Sequence, residues 1–350
     1  MISLAVKYRP SSFDDLTEQT AVKAILTNQI ETKTIKHGYL FCGGAGTGKT
    51  TSARIFASMI NKGKGTPIEL DAASNNSVDD IRRLCDDAQT QSLDSEYKVF
   101  ILDEVHSLSN QAWQAMLKTL EEPPAKSVFI LCTTNPEKIP STILSRVQRY
   151  DFQRISQKGI VDRLTEIAVR ENSQDYDDPD LRDIGDIRHD KDAIEYIAKI
   201  ADGGMRDAIT LMDKCLSYST DLTLDNVIKA LGVADYNTMF DLLTCIRKKD
   251  EGKLIAIIND VFYSGVDLKL FCKTFFEFIL DLNVYRTTKD LSNTKIPSVW
   301  SGTLGGYSVS DWKVISGLLS VVLSINNEVK WEQNPKPFII AEFMIYVEGL

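Results

Sequence analysis

Apolar and polar positions follow two different rhythms along this chain. In residues 1–156, short apolar stretches (Tyr39–Cys42, Ile68–Asp71, Val99–Leu102 and Val128–Thr133) stand between segments whose apolar residues recur every three or four positions. The short stretches predict buried strands, and the 3.6-residue rhythm predicts helices near Glu18–Glu31, Lys49–Asn61, Ser77–Thr90 and Ser109–Glu121. Ser77-Val78-Asp79-Asp80 resembles a capping box, and Pro123-Pro124 stops the helix before it. Strands alternating with helices predict an α/β domain: a parallel sheet with helices on both faces.

Beyond residue 156 the rhythm changes. Residues 157–232 lose the strand signal and read as a small domain of short helices. Residues 233–350 carry longer apolar stripes: Leu254, Ile257, Ile258 and Val261; Leu268, Phe271, Phe275, Ile279 and Leu282; Leu318, Leu319, Val322 and Leu323; Phe338, Ile339, Met344 and Ile345. Such stripes are packing surfaces, so the last region is expected to be an all-α bundle. Gly, Ser and Pro around Ser292–Tyr307 predict an irregular loop.

The chemistry is concentrated at Gly43-Gly44-Ala45-Gly46-Thr47-Gly48-Lys49-Thr50, between an expected strand and an expected helix. This is G-x-x-x-x-G-K-[ST] in its proper context. Glycines let backbone N–H groups approach phosphate oxygens, and the helix N-terminus adds unpaired donors and a positive dipole end. Lys49 would reach the β- and γ-phosphates and the Thr50 hydroxyl a Mg²⁺ ion. About fifty residues on, Val99–Leu102 ends in Asp103 and Glu104, placed respectively for the Mg²⁺ shell and for the attacking water. Thr134, at the tip of the next strand, is on spacing alone ordinary turn chemistry before Pro136. By the same standard Arg146 is a surface arginine and Arg206 a helix-start arginine.

Composition adds limits. A content of 43% hydrophobic and 25% charged residues is that of a globular protein, and 350 residues call for two or three domains. No stretch reads as a bilayer span, and Met1-Ile2-Ser3-Leu4 does not open a signal segment, so a cytoplasmic chain is expected. Six dispersed cysteines without a C-x-x-C pair argue against a zinc site or a disulfide framework, and the three histidines show no ligand spacing. Net charge is −9, the wrong sign for non-specific DNA coating, but residues 171–192 hold nine acidic and three basic residues. They read as a solvated acidic insertion, which leaves the remainder close to neutral.

Several segments, in order, resemble the ATPase subunit (gamma/tau) of the bacterial DNA polymerase III clamp loader, within the AAA+ ATPases. They are Tyr8-Arg9-Pro10, the glycine loop, Asp71–Arg82, Ile101–Ser109, Leu117–Pro124, Lys138–Phe152 and Gly203–Ala208. The likeness is dense over residues 4–232. It implies an AAA+ P-loop ATPase domain (1–156), a helical lid domain (157–232, with the acidic insertion at 171–192) and a helical collar for oligomerisation (233–350). It implies ATP with Mg²⁺, held by Tyr8, Arg9 and Pro10 against adenine and by Gly43, Gly44, Ala45, Gly46, Thr47, Gly48, Lys49, Thr50 and Thr51 around the phosphates. Thr50 and Asp103 would hold the metal and Glu104 the water, with Thr134 and Arg206 as the two sensors. Arg146 would be the arginine finger for a neighbouring subunit. The implied partners are a sliding clamp, other clamp-loader subunits, further copies of the chain and primer–template DNA, with no membrane.

Four departures stand out. Asn61–Pro67 replaces the family's cysteine-ligated zinc module. Val147 follows Ser145-Arg146 where cysteine is usual. Glu18 replaces a glycine near the expected adenine pocket, and the acidic stretch looks inserted. The chain also stops after its third region, as a phage or mobile-element version would. In the family, helix N-termini track the template phosphates, so the resemblance implies that role for the helices starting near Ser77 and Ser109, through backbone donors. Arg82 and Lys118 could supplement them but read first as solvated-face residues. The rival readings are another AAA+ DNA motor, such as a branch-migration ATPase, and a nucleotide-gated scaffold that barely hydrolyses.

Overall fold

The computed structural model describes residues 2–172, 187–231, 236–297 and 300–350. Most of the acidic 171–192 stretch therefore lies outside the described residues. The chain packs as two compact units, Met1–Arg182 with Ala201–Asp213, and Asp183–Ile200 with Lys214–Leu350.

The first unit holds α1 (Leu4–Lys7), α2 (Thr20–Glu31), β1 (Gly38–Gly43), α3 (Lys49–Ile60), β2 (Ile68–Asp71), α4 (Val78–Ala88), β3 (Lys98–Asp103), α5 (Asn110–Glu121), β4 (Ser127–Thr133), α6 (Ser141–Leu144), β5 (Gln148–Phe152) and α7 (Gln157–Asn172). The sheet runs β2-β3-β4-β1-β5, with every pairing parallel. Successive side chains on a strand point to opposite faces, and the sequence uses both. Leu40, Cys42, Phe100, Leu102, Phe129 and Leu131 form one core with α4 and α5. Tyr39, Phe41, Val99, Ile101, Val128 and Ile130 form the other with α2 and α3. β1, β3 and β4 read as continuous apolar runs because both of their faces are covered. β2, expected to be buried, lies at the sheet's edge with Ile68, Glu69 and Asp71 exposed. Ser77 caps α4, its hydroxyl accepting from Asp80 N at 3.2 Å, and α5 stops at Glu121 before the two prolines.

Next in the chain are β6 (Arg188–His189), α8 (Lys191–Ile200), α9 (Met205–Tyr218), β7 (Asp221–Leu222), α10 (Leu224–Leu231), α11 (Tyr236–Lys248), α12 (Glu251–Tyr263), α13 (Leu268–Thr288), α14 (Ser301–Gly305), α15 (Val309–Glu328) and α16 (Pro335–Glu348). The opening of α9 belongs to the first unit; the other elements build the second. Four sequence expectations need correction here. Residues 157–232 do contain strands, the two-residue parallel pair β6–β7. The expected loop at Ser292–Tyr307 includes the short helix α14. On α16 the buried positions are Ile339, Phe343 and Val347, one every four residues, while Ile345 is 65% exposed. Finally, α15 does have the length and apolarity of a bilayer span, with mean hydropathy 1.2. It packs along α13 and buries Trp312, Ile315, Leu318, Val322 and Ile325 at spacings of three and four, the pattern of a helix packed on one face.

Candidate nucleotide site

At the C-terminal end of β1 the chain turns through the glycine loop into α3. Gly48 (φ +100°) and Gly46 (φ +69°) occupy the left-handed region that a side chain disfavours. Lys49 opens α3 with only 6% of its surface exposed. Its ammonium donates to the carbonyls of Gly43 (2.9 Å) and Gly44 (2.7 Å) and forms no ion pair among the described residues. Burial pulls its pKa down, opposed by Glu104 among other groups. A buried cation with no carboxylate against it is costly. Its third proton and its charge suit an anion at this loop, so the residues fit a phosphate chain.

Asp103 ends β3 beside this lysine. The Thr50 hydroxyl donates to Asp103 Oδ2 at 2.7 Å, and Glu104 N donates to Oδ1 at 3.0 Å. A hydroxyl and a carboxylate side by side are the hard oxygen donors that Mg²⁺ takes in phosphate sites, so the donor set fits that ion. Glu104 sits at φ +49°. Its Oε2 accepts from Thr134 Oγ1 (2.9 Å) and Thr134 N (3.3 Å) and lies 3.2 Å from His106 Nδ1. Thr134 therefore meets Glu104 directly, a pairing between two strand tips that spacing did not reveal. His106 is a further member that sequence reasoning passed over.

A cavity of about 310 Å³ opens beside the loop. Of the residues expected to hold the nucleotide, Tyr8, Arg9, Pro10, Gly46, Thr47, Gly48, Lys49, Thr50, Thr51, Asp103 and Arg206 line it. Gly43, Gly44, Ala45, Glu104, Thr134 and Arg146 do not. Leu16, Thr17, Arg54, Ile155, Arg163 and Ile209 line it without having been expected. They come from segments far apart in sequence, and no local pattern marks them. Arg163 crosses from α7 to donate to the Tyr8 carbonyl at 3.2 Å, and the Tyr8 hydroxyl donates to Glu171 at 2.5 Å. Burial, then Arg54 and Arg206, hold the Arg9 pKa below its usual value. Arg9 and Arg206 form no ion pair among the described residues, while Arg54 reaches Glu69 at 2.6 Å. Cations gathered with so little compensation are arranged for an anion.

Two further contacts tie the cavity's walls together. Met205 N, the first of α9, donates to the Gly46 carbonyl at 3.0 Å, and a Cβ on Gly46 would stand 3.0 Å from Gly204 Cα. Gln19 donates to Gln153 O (2.7 Å) and accepts from Gln153 N (3.1 Å). Glu18, at φ +57°, occupies a backbone conformation that suits glycine. Its carboxylate accepts from the N–H (3.0 Å) and the hydroxyl of Ser156, just before α7, and it does not line the cavity. Arg146 lies after α6, where its guanidinium meets Glu121.

Residues 66–156 match the family model "DNA polymerase III, delta subunit", 183–221 "DNA polymerase III clamp loader subunit, ATPase lid domain" and 222–299 "DNA polymerase III subunits gamma and tau domain III". The chain is 32% identical to the DNA polymerase III subunit gamma of Buchnera aphidicola, over 75% of each protein. It belongs to the gamma/tau family of DNA polymerase III subunits. It is also 33% identical to subunit tau of Bacillus subtilis over 95% of its own length, and spans 60% of that relative. Among solved structures, the RuvB Holliday junction branch migration motor of Thermotoga maritima covers 83% of the chain with a TM-score of 0.51 and 20% identity. That likeness fits the AAA+ fold; at this identity it speaks to fold alone. Membership of this family brings nucleotide binding with it, in keeping with the buried lysine and the cavity beside it.

Proposed function

We propose that this chain is the ATPase subunit of a DNA-replication clamp loader, part of a DNA polymerase III-type assembly in the cytoplasm. In this reading ATP binding drives assembly with further copies and other subunits, opens a sliding clamp and places it on primer–template DNA. Hydrolysis then releases clamp and DNA, which requires the ATP and ADP states to differ in affinity for both. The observation that carries the proposal is Lys49, buried beside the cavity without a carboxylate partner.

Each residue's part follows from its place. Lys49 would neutralise the β- and γ-phosphates, with Arg206 reaching them from the start of α9. Tyr8, Arg9 and Pro10 would close over the base. Thr50 and Asp103 would hold Mg²⁺, which when bound offsets phosphate charge. Thr134 occupies one oxygen of Glu104, leaving Oε1 to accept a proton from the attacking water. Arg146 does not line its own chain's cavity, which supports its acting on a neighbour's nucleotide. The three functional regions would be 1–156, 157–232 and 233–350.

The test is the rate of ATP hydrolysis with and without primer–template DNA and a cognate clamp. Joint stimulation by both is expected. Stimulation by duplex or branched DNA alone would replace this reading with a motor, and absence of turnover would replace it with a scaffold.

A further inference from the structure

Arg146 is not left to sample the surface. Its Nη1 donates to the Thr142 carbonyl (2.5 Å) and to Ser145 Oγ (2.9 Å), and its Nη2 donates to Glu121 Oε1 at 2.5 Å. The Ser145 hydroxyl in turn donates to the Thr142 carbonyl at 2.9 Å. A guanidinium has five donor hydrogens; these contacts use three, so two remain for a ligand. The side chain is 31% exposed.

Glu121 is the last residue of α5, and a carboxylate there opposes the negative end of the helix dipole. Its pairing with Arg146 is a partly exposed ion pair of the kind that adds at most about 1 kcal/mol to stability. Helix and fold thus give little reason for an acid at this position. Its geometry gives another: it fixes the plane of the one arginine that the proposed function directs at a neighbour.

We infer that Glu121 is a positioning residue for Arg146, holding the guanidinium in the orientation in which its two free donors meet the terminal phosphate of the neighbouring subunit's nucleotide. This rests on the reading of Arg146 as a finger acting between subunits. Charge-assisted hydrogen bonds of this kind fix direction as well as energy. The orienting cost is met before the nucleotide arrives, and its loss appears in turnover rather than in binding.

Two populations of the full chain separate the contributions. Arg146→Ala subunits supply intact nucleotide sites without a finger, and Lys49→Ala subunits supply a finger without a site. In mixed assemblies all turnover comes from an intact site facing the other population's Arg146. Adding Glu121→Ala to the Lys49→Ala population should lower kcat on the order of 10-fold with KM unchanged. Glu121→Asp should recover part of the loss, and Glu122→Gln, at the adjacent carboxylate, should change nothing. An unaltered kcat with Glu121→Ala would overturn the inference while leaving the finger reading intact. If the mixed assembly shows no turnover even with Glu121 present, the finger reading itself falls, and this inference with it.

Discussion

Charge is arranged differently at the cavity of the α/β unit and along the packed helices of the other unit. In the helical unit, Arg247 and Lys295 find carboxylate partners: Arg247 meets Asp311 at 2.6 Å and lies 4.5 Å from the centre of the Tyr307 ring, and Lys295 meets Glu277 at 2.9 Å, while Lys199 donates to the Ile296 carbonyl at 3.0 Å. In the α/β unit, Lys49, Arg9 and Arg206 gather at one cavity with no ion pair among the described residues. Burial and mutual repulsion depress the pKa of Arg9 there, and burial that of Lys49. Paired charge is what a packing surface needs; of these three Lys49 is buried, and its unpaired charge is a cost that an anion would offset, while Arg9 and Arg206 are exposed.

Four changes would break or sharpen that contrast. The largest effect is expected from Arg146→Ala: turnover in the assembly should fall ~10³–10⁵-fold, with nucleotide affinity of the same chain retained, as steady-state kinetics and titration calorimetry would show. Next, Phe275→Ala empties a position stacked among Phe271, Phe278 and Phe343. It should destabilise the helical unit by about 3–5 kcal/mol in denaturant unfolding, with ATP affinity unchanged in folded protein. Lys49→Ala should weaken ATP binding on the order of 100-fold without lowering the melting temperature, since the cation it removes is a burden to the empty fold. A lower melting temperature would mean that the lysine is structural.

The smallest effect concerns Asp281, a partly buried carboxyl of the helical unit. Burial raises its pKa to about 6, against the hydrogen bond from Lys295 N (2.8 Å) and the charge of Lys295. A carboxyl whose folded pKa is raised stabilises fully below its unfolded value near 3.8, and that stability is lost as pH rises through about 6. Asp281→Asn keeps the acceptor and removes the titration. It should flatten the melting temperature across this window and add roughly 1–3 kcal/mol at neutral pH. A variant as pH-dependent as the parent would show that Asp281 ionises freely.

How much of this was legible beforehand depended on whether the signal was local. Whereas β2, at one edge, is exposed at Ile68, Glu69 and Asp71, β1, β3, β4 and the glycine loop announce themselves because two buried faces demand unbroken apolar runs. β5 does not: Gln148–Phe152 alternates, with only Tyr150 and Phe152 buried, and lies at the sheet's edge. The loop lysine and its acidic pair could be placed from spacing, whereas Thr134 and Arg206 needed family resemblance. Arg163 was visible by neither route, because it reaches the cavity through a carbonyl of Tyr8 that no side-chain pattern encodes. Glu18 looked like a disturbance of the base pocket; its backbone keeps the turn a glycine would make, and its carboxylate is spent on the start of α7.

The bond between Met205 N and the Gly46 carbonyl has a consequence for how such a protein can change. A loop whose own peptide terminates a neighbouring helix has no freedom to be redrawn alone. At Gly46, where φ is +69° and a Cβ would stand 3.0 Å from Gly204 Cα, a side chain presses the glycine loop against the start of the helix. Loop and helix, on two sides of the cavity, are therefore coupled, and a change at either is felt at the other.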